Sequence, residues 1–126
     1  MGRVTGIGGV FFKSRDPEAL YAWYEKHLGI KRDPEHGGVA FYWHEDEGSN
    51  PFTAWAIFRH DSDYFAPSKS QVMINYRVED LDVLIDCLRA EGVEIDAKRE
   101  DYDYGRFAWI YDPDGNKIEL WEPPKK

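Results

Sequence analysis

Glu119 is the residue with the most chemical potential, because of what alternates around it. Lys117-Ile118-Glu119-Leu120-Trp121-Glu122 puts Ile118 and Leu120 on one face of a strand, and Lys117, Glu119 and Trp121 on the other. Gly105–Tyr111 before it is mostly aromatic and apolar, and Asp112-Pro113-Asp114-Gly115-Asn116 between them is a cluster of turn formers. If the turn pairs Tyr111 with Lys117, then Trp109 lies opposite Glu119 and Phe107 opposite Trp121. A carboxylate buried between large rings is costly unless something meets its charge. That something is a neighbouring side chain such as Arg106, or a bound ligand. In apolar surroundings such a carboxyl is also a candidate general base, its pKa raised by burial.

The other chemistry-bearing residues assemble poorly. His27 falls at a helix C-terminus, where positive charge is welcome, and His36 in a loop. His44 and His60 end neighbouring antiparallel strands at opposite ends of the sheet. At about 3.3 Å per residue that places them roughly 15–20 Å apart, too far to share an ion. Asp112, Asp114 and Asn116 match the first half of a calcium loop. Lys117 stands where that loop needs Gly, and Pro123 where it needs a bidentate Glu. Cys87 lies beside an apolar helical stripe with no base near it in sequence, and reads as a packed thiol. Gly6, Gly8 and Gly9 lack the G-x-G-x-x-G spacing of a dinucleotide loop.

The elements that position these residues come in two similar runs. Residues 4–14 read as a strand with Gly9, Phe11 and Lys13 on one face. Asp16 is an N-cap with Pro17 behind it, and Leu20, Trp23, Tyr24 and His27 or Leu28 recur at helical spacing up to Gly29. A short edge strand is expected at 30–33, then strands at 39–44 and at Phe52–Arg59. After a polar connection (60–70) the pattern restarts: a strand at 72–78, a helix opened by Asp80 with Leu81, Leu84, Ile85 and Leu88 on one stripe, and a strand at 93–98. An acidic connection at 99–104 leads into the closing hairpin. Each half reads strand–helix–strand–strand–strand, and each alone leaves a sheet face uncovered. The expectation is therefore one α+β domain over 1–126, with module one at about 1–63 and module two at about 71–126. Two βαβββ modules side by side make a curved eight-stranded sheet with both helices outside and a cup on the other face.

Composition narrows the partners. The chain has 126 residues and a formal net charge of −8, which argues against nucleic acid and anionic membranes. No run of about 18 apolar residues predicts a membrane span, and no basic–apolar leader is visible. A single cysteine suits a reducing cytoplasm. Five Trp, eight Tyr and seven Phe are more aromatic residues than a core of this size requires, so some are expected to line a pocket.

Asp112-Pro113-Asp114-Gly115-Asn116-x-Ile118-Glu119-Leu120 resembles the closing hairpin of the vicinal oxygen chelate superfamily. That superfamily includes glyoxalase I, extradiol dioxygenases, fosfomycin-resistance enzymes and bleomycin-binding proteins. The paired modules extend the resemblance over essentially the whole chain. In metal-dependent members four inward side chains hold a divalent metal, one from the first and one from the last strand of each module. The resemblance puts the first-strand positions at Gly9 and Met73, and the last-strand position of module one within 53–57, where no carboxylate, His or Gln occurs. Glu119 alone matches, so no metal or other cofactor is expected. The resemblance also implies a homodimer.

Alternation gives the cup-facing set: Phe11, Met73, Asn75, Arg77, Phe107, Trp109, Glu119 and Trp121, with Trp55 as a further member. Three functions compete. The first is a glyoxalase- or bleomycin-resistance-like protein that binds a small aromatic or cationic molecule without a metal, with Glu119 as charge partner. The second is a lyase, isomerase or dioxygenase that uses a metal, or Glu119 as general base. The third is a ligand-free dimeric module whose aromatic residues fill the cup.

Overall fold

The computed structural model describes residues 2–35, 37–43 and 51–124. In the first half, β1 (Arg3–Ser14) leads into α1 (Pro17–Leu28), β2 (Val39–Tyr42) and β3 (Phe52–Arg59). In the second, β4 (Val72–Glu79) leads into α2 (Leu81–Ala90), β5 (Glu94–Tyr102), β6 (Gly105–Tyr111) and β7 (Lys117–Glu122). Among the described residues these strands form one curled mixed sheet in the order β2-β3-β1-β4-β7-β6-β5. β1 and β4 pair antiparallel at its centre, while β1–β3 and β4–β7 are parallel. The α+β class is as expected, but with seven strands instead of eight.

The missing strand is the one expected at 30–33. That segment is held against α1: Arg32 donates to both carboxylate oxygens of Glu18 (2.8 and 2.7 Å), and its guanidinium lies 4.2 Å from the Tyr21 ring centroid. β2 starts with Val39 opposite Trp55, and past that pair along β3 the Ile57 N–H donates to the Tyr21 hydroxyl at 2.9 Å. A helix side chain thus completes the sheet edge that a strand would otherwise cover.

α1 starts as its sequence dictates, with the Asp16 carboxylate accepting from the Ala19 N–H and Pro17 in the first turn. Its buried residue is Tyr21, while Trp23 and Leu28 point outward, one position off the expected stripe. α2 keeps its predicted stripe, with Leu81 and Ile85 fully buried. Its cap differs. Asp80 is left-handed (φ 54°) and gives no side-chain cap, and the Leu81 N–H donates instead to Glu122 Oε1 at the end of β7. The exposed Cys87 corrects the packed-thiol reading, because the buried stripe turns it away from the sheet.

Alternation then sorts the sheet into two faces. Val78, Ala108 and Leu120, flanked by Tyr76, Ile110 and Ile118, pack under α2. Met73, Asn75, Trp109 and Glu119 take the opposite, concave face, and each of the four is buried. Among the described residues no helix is long and apolar enough to cross a membrane.

Candidate functional site

The closing hairpin has the register that its alternation predicts: Tyr111 opposite Lys117, Trp109 opposite Glu119, and Phe107 opposite Trp121. Parallel pairing of β7 with β4 sets Glu119 beside Asn75 and Trp121 beside Arg77. These pairings divide the concave face into a closed half around Glu119 and a more open half, where Trp43 is exposed and Arg77 and Phe107 are partly exposed but Trp121 itself is buried at 7%.

In the closed half, Glu119 is 2% exposed and each of its oxygens accepts a hydrogen bond. Oε1 takes the Tyr64 hydroxyl in a short bond, and the Trp109 Nε1–H at 3.0 Å. Oε2 takes Asn75 Nδ2 at 2.5 Å. Burial pushes the Glu119 carboxyl above its ordinary range, against the pull of these three donors and of nearby Lys117. Tyr64 is pushed far up, first by burial and then by the Glu119 charge. Burial also lowers Lys117, whose Nζ donates to the Tyr64 carbonyl at 2.9 Å.

Tyr64 and Phe65 come from the connection between the halves, which the sequence presented as polar. Phe65 is fully buried, packed with Met73 and Trp109 and touched by Phe11 and Phe58. Lys13 Nζ lies 5.1 Å from the centre of its ring. The connection therefore dips into the cup and fills this half. Arg106, the neighbour considered as a partner for Glu119, points to the other face and pairs with Asp82 at 2.8 Å.

In the open half, Phe107 and Trp121 lie nearly parallel (13° between planes, 6.3 Å between centroids). Phe52 tilts against Trp121 at 5.5 Å, and Tyr104 meets Phe107 edge-on. The Trp121 Nε1–H donates to the Tyr104 carbonyl at 3.0 Å, which fixes its ring. Trp43, beyond the end of β2, donates from Nε1 to Thr53 Oγ1 at 2.9 Å, and that hydroxyl donates to the Ile7 carbonyl. Arg77 lies between the two indoles, its Cζ 5.7 Å from the Trp43 ring and 5.9 Å from the Trp121 ring.

Eight of the nine expected cup residues thus face the cup, and Trp55 does not. It packs beneath α1 against Phe12, Tyr21 and Tyr24. The reason is register: Phe11 pairs with Ala56 and Gly9 with Ala54, so Ala54, Ala56 and Phe58 share the concave face and Trp55 takes the other. Tyr64, Phe65, Phe52, Trp43 and Tyr104 were not foreseen. Two adjacent aromatic residues inside an otherwise polar connection were the available signal for Tyr64 and Phe65. His36 and His44 lie outside the described residues.

The donor set does not fit a divalent cation. Asn75, and not Met73, is the residue beside Glu119, and the neighbouring positions Gly9 and Ala54 carry no donor. Both Glu119 oxygens are already bonded within the chain. Among the described residues no three of His, Cys, Asp or Glu come together.

Residues 6–120 match the family model of the Glyoxalase/Bleomycin resistance protein/Dioxygenase superfamily. No match was found among curated proteins. Among solved structures, a variant methylmalonyl-CoA epimerase from Streptomyces coelicolor, in complex with 2-nitronate-propionyl-CoA, superposes with a TM-score of 0.69 at 17% identity. The match covers 98% of this chain and all of that one. The methylmalonyl-CoA epimerase from Mycobacterium tuberculosis gives 0.64 at 21% identity, over 97% and 90% of the two chains. At these identities the likeness establishes the fold.

Proposed function

We propose, from the premise that the chain belongs to the Glyoxalase/Bleomycin resistance protein/Dioxygenase superfamily, that it is a binding protein for a small planar aromatic molecule. The molecule lies against the open half of the cup and no metal takes part. The observation that carries this is the fixed pair of near-parallel rings on the concave face, in which buried Trp121 backs the partly exposed Phe107 as a stacking wall. The closed half favours binding over catalysis, because Tyr64 and Trp109 occupy the one carboxylate oxygen and Asn75 the other. For the same reason Glu119 does not serve as partner to a cationic ligand, and the reading narrows to aromatic ones. The protein is read as a homodimer in a reducing compartment, with Phe41 and Tyr42 exposed on edge strand β2 as the natural contact.

Calorimetric titration of the full chain with 2-naphthol tests this. The expected result is one saturable site, weakened about three- to tenfold by Phe107→Leu, which removes a ring face, and unaffected by Glu119→Gln. Absence of a saturable site sinks the reading, and so does binding that tracks Glu119 and ignores Phe107.

Catalysis with Glu119 as general base is favoured by one observation, the carboxyl held above its ordinary range by burial. Turnover of a small α-acidic carbonyl or thioester compound, abolished in Glu119→Gln, would establish it in place of simple binding.

A further inference from the structure

Arg77, like Lys13 and Lys117 on the same face, forms no ion pair with a carboxylate among the described residues of this acid-rich chain. There are 24 Asp and Glu against 16 Lys and Arg, and carboxylates elsewhere find cations readily. Asp82 alone engages both Arg99 and Arg106. The Arg77 guanidinium instead lies between two indole rings on the concave face.

The backbone is arranged to keep it there. Arg77 pairs with Gly6 on β1, and a Cβ on Gly6 would come within 2.4 Å of Trp43 Cη2. The missing side chain is the space in which Trp43 rests. Both indole N–H groups are committed, one to Thr53 and one to the Tyr104 carbonyl, so each ring keeps a fixed orientation beside the guanidinium. A guanidinium whose faces meet aromatic rings keeps its rim of N–H donors for an in-plane acceptor, and a carboxylate matches that fork in two bonds.

We infer that the open half selects an aromatic anion: a planar ring against the partly exposed Phe107, which Trp121 backs, with a carboxylate or similar anionic head on Arg77. This rests on the binding reading above and supplies its missing chemistry, the charge of the ligand. It runs opposite to what the net charge of the chain suggests, since an acidic protein as a whole attracts cations.

Three probes that share one ring separate the two readings: 2-naphthoate, 2-naphthylmethanol and 2-naphthylmethylammonium, each titrated calorimetrically into the full chain. The expected order is naphthoate tightest, by about tenfold over the alcohol, as for a charge-assisted hydrogen-bonded pair. The ammonium compound is expected to be weakest. Arg77→Gln should bring naphthoate down to the alcohol's affinity while the alcohol itself still binds, which shows that the wall is intact. Arg77→Lys should retain part of the preference, since it keeps the charge and loses the fork. Equal binding of the three probes, or a preference for the ammonium, overturns the anion inference and leaves the stacking site standing. Failure of all three to saturate overturns both.

Discussion

At the scale of single residues, Glu119 is held by competing demands. Three donors converge on it, and burial opposes its charge. Replacing it with Leu leaves the Tyr64, Trp109 and Asn75 donors without their acceptor, and the expected loss is about 3 kcal/mol or more of unfolding free energy by urea titration. Gln is milder: its amide oxygen still accepts from Tyr64 and Trp109, and Asn75 can turn its own oxygen toward the new NH2 group. That variant also reads out the pKa. A carboxyl whose pKa is higher folded than unfolded holds its proton more tightly in the folded state. Its contribution to stability is complete below the ordinary carboxyl value of about 4.3 and is lost as pH rises through the folded value. Wild type should therefore lose stability relative to Glu119→Gln as pH rises above the ordinary carboxyl value of about 4.3. A difference that stays flat with pH would show that Glu119 is ionised on ordinary terms. Tyr64→Phe removes a donor from the same oxygen, and should cost about 1–2 kcal/mol and widen that pH dependence.

At the scale of elements, the glycines beside the tryptophans matter as much as the tryptophans. Gly105 opens β6 at φ 140°, and a Cβ there would lie 2.2 Å from Trp121 Nε1 and 2.8 Å from the Glu122 carbonyl. Gly105→Ala is thus strained in backbone and in space. It should cost about 2–4 kcal/mol in thermal unfolding and broaden the near-UV signal of Trp121. The β6–β7 hairpin was legible because its turn residues fix the register and its two faces differ in kind, Ile118 and Leu120 against Glu119 and Trp121. β3 gave no such cue. Phe52, Trp55 and Phe58 spread aromatic rings over both faces with Ala54 and Ala56 between, so alternation alone left the parity of Trp55 open. The start of α2 misled for a different reason: Glu122, which accepts from the Leu81 N–H, is 41 positions away on another strand, beyond the reach of local capping rules. The Tyr64–Phe65 insertion was hidden in the same way, since its anchor is the Glu119 carboxylate and not any neighbour in sequence.

At the scale of the whole molecule, the proposed function assigns structure to one half of the cup and recognition to the other. One is occupied by the chain's own aromatic residues and the other offers a wall with a cation. Exposed apolar groups remain at Phe41 and Tyr42 on edge strand β2, where Tyr42 packs on the Phe52 that touches Trp121, and at Trp23 and Leu28 on α1. Light scattering is expected to give twice the 14.7 kDa of one chain, and Tyr42→Lys to return it to one. A mass of 14.7 kDa for wild type at micromolar concentration would discard the dimer. The connection between the halves bears on which dimers are open to the chain. β1 and β4, from different halves, pair along the middle of the sheet, so two copies could in principle trade halves and rebuild the same sheet twice. Such an exchange requires residues 60–71 to straighten and bridge two bodies. Straightening withdraws Tyr64 and Phe65, and strips Glu119 of its hydroxyl donor and Met73 and Trp109 of their cover. The loop that plugs the cup is therefore also a lock on connectivity, biasing each chain to close upon itself.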